Sequence, residues 1–137
     1  MRFKIVRAEL FMRLLAEAKH AHQYGCCVTL ESLAKYQQSH CFVCQIGDYW
    51  LGYAIWGTEI HSVFKHPCIN GRYAPEMIRH AIGNGGTMLD CFSHISYIYQ
   101  EQGFVTYRTE QWSDSCAPKD WDNAIGKPNV NYMKLAS

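Results

Sequence analysis

Glu59 and His61 stand two residues apart in Glu59-Ile-His-Ser-Val-Phe64, a run that reads as a strand. A period of two puts Glu59, His61 and Val63 on one face. A carboxylate beside an imidazole suits general-base work, since imidazole titrates near neutrality. The alternative is a surface charge at the strand start and a hydrogen-bonded sheet histidine. Asp90 interrupts the apolar run Thr87–Phe92. A carboxylate there is paired or lies where a sheet opens. It suits acceptor binding or base chemistry, or else a structural bond to a loop amide. Asp120, Trp121 and Asp122 lie within the stretch 113–128, behind Trp112 and Asp114. Tryptophan flanked by carboxylates suits a cationic amine, through cation–π contact and ion pairing. The other reading has Trp121 folded back onto the core. Cys41 and Cys44 have zinc-like spacing. On a strand they point to opposite faces, so no metal site is expected.

Regular elements must position these groups. Residues 2–6 read as a short strand. Leu10, Phe11, Leu14, Leu15 and Ala18 recur at helical spacing, and the helix is expected to end near Tyr24-Gly25. Residues 31–38 read as a second helix capped by Thr29. Strands follow at 41–46, 49–56 and 59–64, joined by tight glycine-containing links that suit antiparallel hairpins. Residues 74–82 read as a helix with Pro75 in its first turn. Residues 87–92 read as a strand buried on both faces. Helix 94–102 ends at Gly103, and strands 104–112 and 129–136 close the chain. The order predicts an α/β (mixed α+β) fold: one domain over 1–137, with a mixed twisted sheet of six to seven strands flanked by helices.

Tyr99-Gln-Glu-Gln-Gly103-Phe104, placed where that last helix runs into a strand, resembles a motif of the GNAT superfamily of N-acetyltransferases. The strand ending His66-Pro67, the Asp90-Cys-Phe92 strand and the stretch 117–121 also resemble small phage-encoded acetyltransferase-like proteins. The resemblance implies acetyl-CoA as acyl donor, Tyr99 as proton donor to the CoA thiolate, and Glu59 or His61 as base. It implies a diphosphate site from Val63 and Lys65 at the strand end and Asn70, Gly71, Arg72, Tyr73 and Ala74 beyond it. Aligned on His66-Pro67, the loop departs from the family pattern. Asn70 replaces Arg or Gln, Tyr73 adds bulk, and Pro75 removes an amide donor. Gly71 and Arg72 partly compensate, because Arg72 can pair with phosphate. The implied activity is transfer of an acetyl group to a primary amine, on a small molecule or a protein lysine or N-terminus. The alternatives are a degenerate GNAT-fold protein that binds another protein, and an unrelated small α+β module without splayed central parallel strands.

Composition bounds these readings. The 137 residues are 48% hydrophobic, enough for a real core, with a formal net charge of +1. Thirteen basic against twelve acidic residues make no field that would steer nucleic acid. No apolar stretch is long enough to span a membrane. Seven cysteines without an export signal point to reduced thiols in the cytoplasm. The oligomeric state is left open, a homodimer included.

Overall fold

The computed structural model describes residues 1–136. Its strands are β1 (Lys4–Val6), β2 (His40–Ile46), β3 (Tyr49–Trp56), β4 (Glu59–Lys65), β5 (Met88–Phe92), β6 (Phe104–Glu110) and β7 (Val130–Leu135). Its helices are α1 (Ala8–Ala21), α2 (Leu33–Gln37), α3 (Ala74–Gly83) and α4 (Ser96–Gln100). One seven-stranded sheet runs β1-β2-β3-β4-β5-β7-β6. Every neighbouring pair is antiparallel except β4 and β5. Among the described residues, no helix is long and apolar enough to cross a membrane.

The β2–β3 and β3–β4 links each leave two unpaired residues, and each opens on a glycine at positive φ, Gly47 at 62° and Gly57 at 64°. Such a loop matches the twist of the strands it joins. On one sheet face, Phe11, Leu14, Leu15 and Ala18 of α1 pack with Tyr36, Cys41, Val43, Ala54 and Phe64. On the other, α3 and α4 cover Leu51, Tyr53, Ile60, Leu89, Phe104 and Met133. Cys41 and Cys44 fall in the two different clusters, as the strand period requires. Close strand packing admits only glycine at position 52, where a Cβ would sit 2.4 Å from the Phe42 carbonyl oxygen.

Several elements differ from expectation for local reasons. Helix α1 ends at Ala21, and the His22 amide donates to the Ala18 carbonyl. Gly25 begins a separate tight turn, packed so closely on the α1 end that a Cβ would lie 2.0 Å from the Lys19 oxygen. Ser32, not Thr29, caps α2, its hydroxyl accepting from the Lys35 amide at 3.2 Å. Helix α4 is one short run after a tight turn at Ser93–Ile95. Strand β5 is not buried on both faces: Leu89 is buried, while Met88 and Asp90 are exposed. The reason is its meagre pairing with β4, a single register contact, Glu59 with Met88. Beyond that point the two parallel strands diverge.

Candidate active site

The divergence of β4 from β5 opens a cleft of about 170 Å³. Its walls include Glu59, His61, Ser62 and Val63 from β4, and Asp90, Cys91 and Phe92 from β5. Cys27, Val28, Thr29 and Glu31 come from the segment before α2, and Tyr99 from α4. The structure thus gathers Glu59, His61, Asp90 and Tyr99, which lie far apart in sequence.

A bulge shapes the β4 wall. His61 faces Ala54 and Phe64 faces Gly52, so Ser62 and Val63 together oppose Tyr53. Ser62 takes φ 54°, the positive-φ conformation that lets the strand absorb the extra residue. The bulge breaks the period of two. Glu59 and His61 still reach toward α2, through Lys35 and Tyr36, whereas Val63 turns to the α3 cluster. The expected single face of Glu59, His61 and Val63 therefore ends at His61. A bulge also leaves one backbone N–H of the Ser62–Val63 pair outside the ladder.

Glu59 is half-buried and pairs with the Lys35 ammonium at 3.3 Å, which also lies 3.7 Å from Glu31. His61 is held from both sides, Nε2 by the Ser39 hydroxyl and Nδ1 by the Ser62 hydroxyl, each at 3.0 Å. Burial, then the Lys35 charge, pulls its pKa down to about 4. As pH falls from about 6.5 to about 4, the unfolded chain takes up a proton that folded His61 refuses. Stability is therefore full above the ordinary histidine range and drops by roughly 3 kcal/mol across that window. His61→Gln should flatten this part of the profile, measured as melting temperature against pH. An unchanged slope would place the proton uptake elsewhere.

Asp90 has a raised pKa, from desolvation in the cleft first and the Glu59 carboxylate second. It bonds no loop amide among the described residues, so the structural reading of this carboxylate has no partner here. Tyr99 packs edge-on against Phe104, with ring centroids 6.2 Å apart, and is only 8% exposed. Burial, then Cys91 and Asp90, raises its pKa. Among the described residues its hydroxyl has no protein hydrogen-bond partner.

A second hollow, about 280 Å³, continues past Val63 on the α3 side, lined by Lys65, Gly71, Arg72, Tyr73 and Ala74. Asn70 lies outside this lining. Lys65 Nζ donates to the carbonyls of Ile69 at 3.0 Å and Gly71 at 2.8 Å, which curls the loop around it. Gly71 has φ 107°, and a Cβ there would meet the Tyr73 ring at 3.2 Å. Arg72 pairs with Glu101 at the exposed rim. The Tyr73 carbonyl accepts the first helical bond, from Met77. The amides of Ala74 and Glu76 therefore have no intrahelical acceptor, and Pro75 has no amide to offer.

No family model matches the chain, and no curated protein matches it either. Solved structures do match it along nearly its whole length. An IAA acetyltransferase from Bacillus cereus superposes with a TM-score of 0.69 at 16% identity, covering 98% of this chain and 97% of that one. A Bacillus subtilis acetyltransferase in complex with CoA gives 0.66 at 15% identity, covering 99% and 98%. A GNAT-family acetyltransferase from Streptococcus pneumoniae gives 0.61 at 11% identity, covering 96% of each chain. The chain has the GNAT fold. At these identities the likeness is one of architecture.

Within this GNAT fold, Asp120, Trp121 and Asp122 do not join the cleft. Asp120 pairs with Lys19 of α1, and Asp122 caps a turn by accepting from the Ala124 amide at 2.9 Å. Trp121 donates to the Gly126 carbonyl at 2.9 Å and packs on Phe92 and Trp112, centroids 4.8 and 4.9 Å away. The loop thereby props the end of β5, whose Phe92 forms part of the cleft wall. Glu31, which lines the cleft, and Lys35, which pairs with it and with Glu59, are residues that the sequence reading passed over. Their spacing of four in sequence was the available signal.

Proposed function

We propose that this chain is an acyl-CoA-dependent N-acetyltransferase that moves an acetyl group onto a primary amine. The observation that carries the reading is the splay of β4 from β5. It opens a cleft holding carboxylates and a buried tyrosine, and Val63 lines both that cleft and a hollow at the N-terminus of α3. Unbonded amides of Ala74 and Glu76, with Lys65 and Arg72 beside them, suit a diphosphate. The Bacillus subtilis neighbour solved with CoA supports the same donor.

Acetyl-CoA, when bound, supplies an activated thioester carbonyl. Glu59 takes the proton that the amine sheds, through an intervening water. The amide freed by the Ser62–Val63 bulge offers a donor for the charge on the carbonyl oxygen. Tyr99 returns a proton to the departing sulfur. His61, neutral and tethered by two serines, holds the β4 wall beside Glu59.

A second reading, a GNAT-fold protein that binds another protein without catalysis, is favoured by Tyr73 and Pro75 at the start of α3. Saturating acetyl-CoA separates the two. The transferase should melt several degrees higher with the ligand at about a hundred times its Kd, a gain of about 2.7 kcal/mol. No shift at millimolar ligand removes the transferase reading.

A further inference from the structure

Three carboxylates, from Glu31, Glu59 and Asp90, line the same cleft, and among the described residues only one ammonium, that of Lys35, pairs with any of them. Lys35 reaches Glu59 and Glu31, and no ion pair joins it to Asp90. Counted as ionised groups, the site keeps two negative charges in excess. Apolar walls stand between them, from Val28, Ile60, Ile95 and Val130. An independent feature also asks for a ligand. Tyr99 lines this cavity, is more than nine-tenths buried, and leaves its hydroxyl without a protein partner among the described residues.

A ligand that completes this site carries two cationic nitrogens on a slim aliphatic stem. The stem lies on the apolar walls, and each ammonium finds a carboxylate. We propose, resting on the transferase reading, that the acceptor is a small aliphatic diamine or polyamine. One ammonium gives up a proton to Glu59 through water, and the neutral amine then forms the new C–N bond as the thioester C–S bond breaks. The second N–H proton is balanced by the one the departing sulfur takes up as thiol, and the first passes from Glu59 to solvent. The other nitrogen stays protonated among the remaining carboxylates and anchors the acceptor.

The test compares putrescine, n-butylamine and a peptide with one lysine by calorimetry and by acetyl transfer. Putrescine should bind and react at least about tenfold better than n-butylamine, the worth of one partly desolvated charge pair. Glu31→Gln and Asp90→Asn should each shrink that preference while the acetyl-CoA melting shift stays as in wild type. Should Asp90→Asn unfold, Glu31→Gln carries the comparison alone. Equal handling of the two alkylamines overturns the proposal, and so does a preference untouched by the variants. Preference for the lysine peptide overturns it in favour of a protein acceptor. The acetyl-CoA shift is read separately. Putrescine preference without that shift supports the cation site and removes the transferase reading. A shift without the preference removes only the diamine.

Discussion

Replacing Tyr99 with Phe should lower kcat by ~10- to 10³-fold, with the acetyl-CoA melting shift and acceptor KM close to wild type. The ring does the packing, edge-on to Phe104 and within the α3–α4 core cluster, and phenylalanine keeps the ring. What is lost is one hydroxyl that has no protein partner among the described residues. Burial raises its pKa, so the group is a protonated donor at neutral pH. Loss of the proton to a leaving thiolate appears in the transition state and not in ground-state binding. Steady-state kinetics beside a melting curve read both quantities. Equal kcat in the two proteins returns Tyr99 to a packing role.

Replacing Glu59 with Gln should cost about 10²- to 10⁴-fold in kcat/KM at neutral pH, the usual range for losing a general base. Activity should recover partly as pH rises, because the amine then arrives unprotonated. Lys35 complicates a crude truncation. Its ammonium lies 3.3 Å from Glu59 and 3.7 Å from Glu31, so glutamine leaves it with Glu31 as partner. The fold should therefore survive, and the melting temperature should move little because Lys35 keeps a carboxylate partner. A variant as active as wild type at neutral pH would hand the base role to Asp90. That carboxylate shares the cleft and already has a raised pKa.

The order of elements along the chain, the hairpins and the α3 and α4 positions were legible because periodicity and glycine placement are local signals. Gly47, Gly57 and Gly103 all take positive φ where the sequence asks for a turn. Tyr99 and the base role of Glu59 came from the resemblance, and the structure places both with Asp90 in one cleft. What escaped depends on contacts between distant segments. Nothing local announces that Gly52 must admit the Phe42 carbonyl, or that Tyr53 opposes two residues of β4. That bulge turned Val63 away from Glu59 and His61, against the simple period of two. The stretch 113–128 was left between two readings for a similar reason. Its tryptophans and aspartates have the composition of a binding loop, yet Asp120 pairs with α1, Trp121 packs on β5, and Asp114 and Asp122 find partners within the stretch. The exposure of Asp90 likewise follows from a gap between strands, which no window of sequence contains.

The splayed cleft and the α3 hollow together make the case for transfer, and both depend on the donor binding there. A calorimetric titration of the purified protein with CoA tests this most directly. Saturable one-to-one binding is expected, weakened by Arg72→Ala, which removes a rim cation near the α3 N-terminus without touching the core. A folded protein that gives no binding heat at millimolar CoA would contradict the transferase reading and leave a GNAT fold put to another use.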